Sequence, residues 1–293
     1  MKHPDLHGPG LNSSTAETVS AWYERGTITK AMVIGQIALA YNPVDLSAPF
    51  GTESIRLEQF PVLEKVAPNP AFIEQVPDTP GSYSVDLSKI TKTSVAFHYQ
   101  VHLDESNDRT FAPLQLTPAW KAEATQVSAL LHYGLNPQFA LGTATSVTLK
   151  NVVLILRLEP GSRALSCQSK PVGTFSREKG LIYWRLGDVT LGRDQPAQSL
   201  RARFFTEGEA KPGNCEARWE ISGEQAKALG SGLSVSQMTS GEEKKDSAEK
   251  EEKDPFADAD AEGEEAARPV TPVVGWKEVG GVKRIVSGTY VGV

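Results

Sequence analysis

Three sets of residues in this chain have types and spacings that could do chemistry: paired carboxylates, a pair of histidines, and a run of basic side chains set against an acidic block. The carboxylate pairs are Asp104-Glu105 and Glu207/Glu209. Acid/base work on a glycosidic bond needs one carboxyl whose pKa is raised by apolar burial. Both pairs lie in charged, turn-like sequence that supplies no such burial. His98 and His102 fall on one alternating stretch. On a strand, residues four apart stand roughly 13 Å from each other, so these two cannot chelate one ion by themselves and read as surface histidines. The nearest glycine-rich stretch, Leu229-Gly230-Ser231-Gly232, lacks the Lys-Ser/Thr that a phosphate loop needs and reads as a turn. Neither catalysis nor a cofactor is expected.

Charge is the stronger signal. Residues 242–265 hold twelve acids and four lysines, a net of −8, inside a chain of formal charge −6, so the remainder carries +2. The block has too little apolar material to offset the entropy of ordering its backbone and is expected to be disordered. Its one apolar island is Asp254-Pro255-Phe256. Either these three form a short linear motif, with proline stiffening a turn and phenylalanine as anchor, or Phe256 is incidental in a solubilising loop. Residues 150–203, by contrast, carry ten Lys and Arg against four acids. Lys150, Arg157, Lys170, Arg177, Lys179, Arg185, Arg201 and Arg203 are candidates for contact with anionic lipid or acidic peptides, or are an ordinary solvated surface. Arg201 and Arg203, two apart on a strand, share one face. No aromatic stacking ladder accompanies them, which argues against nucleic acid. Because the acidic block and this segment are opposite in charge, one could also fold onto the other and mask it.

These residues must be positioned by strands. From Ile28 the chain alternates, with Val33, Gly35, Ile37, Leu39 and Tyr41 on one face and Met32, Ile34, Gln36 and Ala38 on the other, which predicts a strand buried on both sides. Val95 to Leu103 alternates likewise. Residues 119–133 fit helix and strand periods alike, and strand is preferred from the neighbours. Val147 to Leu158 is a near-continuous apolar run, and Gly187-Asp188 marks a bulge where the phase of Ile182, Trp184 and Leu186 shifts to Val189 and Leu191. Leu200, Ala202 and Phe204 are expected to point inward. Twenty-five glycines and nineteen prolines cut the chain into short strands, the pattern of a sandwich. After the acidic block, Val270 to Tyr290 resumes a strand-forming composition, so the block is an excursion and not a tail. Two cysteines, Cys167 and Cys215, make no metal or disulfide pattern and read as buried thiols of a cytosolic protein. The first residues contain no apolar signal region, and no apolar run reaches the roughly 18 residues of a membrane helix.

Asn12 to Tyr41, NSSTAETVSAWYERGTITKAMVIGQIALAY, resembles the opening of a mu homology domain. Residues 151–191 look like that family's second subdomain, and Ser287-Gly288-Thr289-Tyr290 resembles its terminal S-G-x-Y. Within the family the text is most similar to fungal muniscins. The resemblance implies an elongated all-β fold of two β-sandwich subdomains: A from residues 11–118, 216–241 and 266–293, and B inserted at 119–215, with residues 1–10 flexible. It also implies a non-enzymatic endocytic adaptor at the plasma membrane, binding EH-domain scaffold proteins and transmembrane cargo tails. Asp254-Pro255-Phe256 resembles the signals captured by clathrin adaptor appendages. No F-BAR helix is present, so membrane bending is not expected of these residues. One departure stands out. The W-x-R used by adaptor medium chains to hold Y-x-x-bulky signals is replaced by Gly280 and Val282, or by Trp276 and Glu278, depending on register. Weak or no binding of such signals is expected. The alternative reading is an unrelated β-sandwich, a carbohydrate-binding or scaffold module.

Overall fold

The first and last strands of the chain lie side by side. In a computed structural model, which describes residues 1–45, 47, 49–241 and 273–293, β1 (Gly10–Glu24) pairs in parallel with β18 (Gly281–Gly292), from Ser13 opposite Gly281 to Tyr23 opposite Gly292. Asp254, Pro255 and Phe256 lie outside the described residues. Between those ends run β2 (Thr27–Asn42), β3 (Thr52–Glu58), β4 (Leu63–Pro68), β5 (Ile73–Gln75), β6 (Ser82–Asp86) and β7 (Ser94–Val101). Then come β8 (Leu114–Glu123), β9 (Gln126–Leu135), β10 (Ser146–Leu158), β11 (Ala164–Lys170), β12 (Thr174–Ser176) and β13 (Leu181–Gly192). The remainder are β14 (Gln198–Thr206), β15 (Pro212–Ser222), a one-turn helix α1 (Glu224–Lys227), β16 (Ser234–Gly241) and β17 (Val273–Glu278). No helix among the described residues is long and apolar enough to cross a membrane.

The strands of the described residues form three sheets. One is nine-stranded, in the order β12-β13-β10-β15-β18-β1-β2-β7-β4. A five-stranded sheet, β17-β16-β3-β6-β5, and a four-stranded sheet, β11-β14-β9-β8, complete the set. Aromatic contacts join them: Tyr83 on β6 meets Phe97 on β7 edge-on at 4.8 Å, and Phe175 on β12 meets Phe204 on β14 at 6.2 Å. Buried aliphatic and aromatic side chains form one continuous core. Each such buried Leu, Ile or Phe contributes roughly 1.5–3 kcal/mol of apolar transfer.

The closing motif has a physical role at each position. Ser287 Oγ accepts from the Trp219 amide at 3.0 Å, and the Thr289 amide donates to Ser20 Oγ at 3.1 Å. A Cβ on Gly288 would crowd Ser20 Oγ and Thr18 Cγ2, so glycine lets β18 approach β1 here with neither side chain displaced. Tyr290 is buried and bonds through its hydroxyl to Tyr23 at 2.9 Å and to the backbone of Leu114, where β8 begins. The last turn of sequence thus ties the nine-stranded sheet to the start of the four-stranded one.

Most strand expectations hold, with two adjustments. β2 is covered on both faces only in its second half, where Ile37, Ala38, Leu39 and Ala40 are all buried; earlier, Ile34 is 36 % exposed because that face of the sheet meets solvent. Residues 119–133 form not one segment but a hairpin, β8 to β9, turning at Ala124-Thr125. The bulge is present, with Val152 opposite Gly187 between shifts of register, and Asn151 and Gly187 both at positive φ. Cys215 is buried, which pushes its thiol up to about 12, whereas Cys167 is half-buried. Residues 1–9 form no strand, yet His3 Nδ1 lies 2.9 Å from Ser14 Oγ and the Leu6 amide donates to Thr93 Oγ1 at 3.0 Å.

Candidate functional site: a basic groove on the four-stranded sheet

β14 has the sequence QSLRARFFT, and its period-two alternation decides the site. Leu200, Ala202 and Phe204 enter the core, so Arg201 and Arg203 stand on the opposite, solvent face. Register places the neighbours. Lys170 on β11 pairs with Arg201, which pairs with Leu130 on β9; Gln168 pairs with Arg203, which pairs with Ser128. On β8, Lys121 lies opposite Ser128 and Ala119 opposite Leu130. Two adjacent rows across the sheet therefore read Lys170-Arg201-Leu130-Ala119 and Gln168-Arg203-Ser128-Lys121.

These rows line a concavity of about 620 Å³. Its floor is apolar at Ala119 and Leu130 and its walls are cationic. Lys121 spends part of its charge on Glu123, 2.8 Å away, and that bond, with help from Gln126, holds the Glu123 carboxyl below the usual carboxylate range. Among the described residues no carboxylate lies within ion-pair distance of Lys170, Arg201 or Arg203. Three cations without an ion-pair partner among the described residues thus stand beside an apolar floor, with the Glu123 carboxyl near enough to Arg203 for its charge to help lower that carboxyl.

The other predicted basic residues do not join this groove. Lys150 donates to Ser222 Oγ at 3.0 Å, and Arg157 pairs with Glu216 at 3.2 Å; both sit on β10 of the nine-stranded sheet. Arg185 on β13 lies 5.3 Å from the centre of the Tyr183 ring. Arg177 and Lys179 are exposed in the connection from β12 to β13. The eight cations are thus spread over two sheets and the β12–β13 connection, and of them Lys170, Arg201 and Arg203 line this groove. Of the two histidines, His98 is exposed and within 3.3 Å of Gln36 Nε2, on the far part of the large sheet from the groove.

Sequence reasoning missed one cluster. Glu17 is fully buried, 3.3 Å from the equally shielded Lys283, and accepts from the Tyr99 hydroxyl at 2.9 Å and from the amide and hydroxyl of Ser231. Lys283 also donates to the Leu229 carbonyl at 2.8 Å. The turn at Leu229-Gly230-Ser231-Gly232 is therefore the receptor of a buried ion pair. Gly230 sits at φ +77°, and a Cβ there would collide with Glu17 Oε2. The lone charged residue of the run Gly10–Tyr23 was the available signal.

Comparison with known proteins fits this picture. The muniscin C-terminal mu homology domain model matches residues 9–293. The "Suppressor of yeast profilin deletion" of Saccharomyces cerevisiae is 34 % identical over 206 residues, covering 69 % of this chain and 22 % of that protein. "F-BAR domain only protein 2" of Mus musculus is 24 % identical, covering 75 % of this chain and 30 % of that protein. The chain thus spans less than a third of the length of the curated relatives it matches. Among solved structures, the Danio rerio Fcho1 mu homology domain with a bound Eps15 peptide superposes with a TM-score of 0.60 at 17 % identity, covering 98 % of this chain and 97 % of that one. The yeast delta-COP-I mu homology domain complexed with a Dsl1 WxWxV peptide gives 0.51 at 14 % identity, covering 97 % and 98 %. These two share its fold. The all-β chain, closed by β1 against β18, belongs to the muniscin C-terminal mu homology domain family.

Proposed function

We propose that this chain is the peptide-binding module of an endocytic adaptor. It acts without catalysis at plasma-membrane endocytic sites and takes acidic linear segments of EH-domain scaffold proteins in the groove of the four-stranded sheet. The observation that carries this reading is the convergence of Lys170, Arg201 and Arg203 beside Leu130 and Ala119, with no carboxylate bound to any of the three cations among the described residues. Family membership removes the alternative of an unrelated β-sandwich. That the Fcho1 neighbour holds an Eps15 peptide and the delta-COP-I neighbour a Dsl1 peptide supports peptide binding as the use of such a fold. Transmembrane cargo tails are a second ligand class for the same module. A lipid role is less favoured, since Lys150, Arg157 and Arg185 belong to the large sheet, where Lys150 and Arg157 already hold Ser222 and Glu216.

In this reading residues 119–215 form the inserted subdomain that bears the groove, and Asp254-Pro255-Phe256 is an outgoing motif for adaptor appendages. Affinity purification from cell lysate tests the adaptor role. Enrichment of EH-domain and clathrin-coat proteins on the wild type and their loss with Arg201→Glu/Arg203→Glu are expected. Equal recovery on both would refute it. The outgoing motif has its own control, recovery of appendage domains by wild type against Phe256→Ala, and equal recovery there removes it.

A further inference from the structure

Resting on that reading of the groove, we infer that the ligand binds as an added strand along the free edge of β11, in extended form, with acidic side chains at alternate positions facing the Lys170-Arg201 row and the Gln168-Arg203 row. Among the described residues β11 is the last strand of its sheet and pairs only with β14. Among the described residues its other edge meets no backbone partner. An unpaired edge offers a row of N–H and C=O groups to an incoming chain, and a lysine or proline at such an edge limits where pairing can occur. Here the limits are visible. The register slips around Leu165 at one end and Pro171 lacks an amide hydrogen at the other, leaving Ser166 to Lys170 as the open run.

Both ends of that run are shaped to receive side chains. Beyond Lys170 a concavity of about 480 Å³ is lined by Lys170, Pro171, Ser199 and Arg201. Beyond Ser166 another of about 480 Å³ is lined in part by Leu165, Arg163 and Arg177. Leu165 and Val172, 42 % and 91 % exposed, flank the run as apolar anchors. A strand added roughly 4.8 Å outside β11 would point alternate residues to the groove face, where Lys170 lies one strand away and Arg201 two. The ligand chemistry is therefore an acidic peptide with acids two apart and apolar residues at its ends. A headgroup offers no backbone to the edge.

The probe is a synthetic peptide of about ten residues that alternates aspartate and valine, titrated at low salt into the full chain. Two further peptides carry N-methyl groups on the alternate amides of one edge or of the other. Methylation of the edge facing β11 is expected to weaken binding about tenfold or more, and methylation of the opposite edge is not. Arg201→Glu and Lys170→Glu are each expected to weaken the parent peptide, with the thermal transition unchanged. If both methylated peptides bind like the parent while Arg201→Glu still abolishes binding, the added strand is wrong and the groove survives. If Arg201→Glu also has no effect, or the parent peptide does not bind, the groove reading falls with it. Binding of phosphatidylserine vesicles but of no peptide would likewise overturn the inference.

Discussion

The Glu17 carboxylate and the Lys283 ammonium stand 3.3 Å apart with almost no solvent access, joining β1 to β18 and both to the turn at Ser231. Such a pair adds little over a well-packed apolar replacement, but removing one partner leaves a buried, uncompensated charge. Glu17→Gln or Lys283→Met is expected to cost about 3–5 kcal/mol in denaturant unfolding. The double substitution is expected to recover part of that loss. Additive losses would show that the two groups do not act as a pair.

Alkaline stability follows from the buried tyrosines. Burial pushes the Tyr23, Tyr99 and Tyr290 hydroxyls above their ordinary value, and for Tyr99 the Glu17 carboxylate adds to the effect. A raised folded-state pKa means stability that is complete below the unfolded value near 10 and is lost as pH rises beyond it. Each group contributes a slope of roughly 1.4 kcal/mol per pH unit in that window. Tyr290→Phe should lower stability at neutral pH by about 1–3 kcal/mol, since Tyr23 and Leu114 lose a partner. The same variant should make the alkaline fall shallower by about one proton in a pH series of urea midpoints. An unchanged slope would place the titration elsewhere.

Strand content and the inward face of β14 were legible because period two is written directly in LRARF, and the positions of Arg201 and Arg203 follow from it. What the sequence could not supply was the neighbour. Lys170 reaches the groove through β11, 31 residues from Arg201, and Lys121 through the β8–β9 hairpin, 82 residues from Arg203, and such separations leave no local pattern. Lys150, Arg157 and Arg185 share the same composition yet belong to another sheet. Glu17 was hidden for a related reason: its partners Tyr99, Ser231 and Lys283 lie 82, 214 and 266 positions away, and a buried charge is recognisable only once its counter-charge is placed.

The medium-chain sorting signal gives a negative prediction. Val282 pairs with Ser14 at the start of β18 and is 47 % exposed, while Trp276 lies on β17 of a different sheet with the Arg56 guanidinium 4.7 Å from its ring centre. Neither position rebuilds an aromatic-arginine wall beside β1. A Y-x-x-bulky peptide is expected to give no measurable heat in titration calorimetry, and micromolar affinity would show that another wall serves.

The groove itself is tested most directly by calorimetric titration of an acidic peptide from an EH-domain scaffold into the wild-type chain and into Arg201→Glu/Arg203→Glu. Both arginines are exposed, so their replacement should move stability by no more than about 0.5 kcal/mol. Binding that is present in the wild type, weakens with added salt and is lost in the variant is the predicted result. Equal affinity in the two proteins, with both folded, would contradict the central claim.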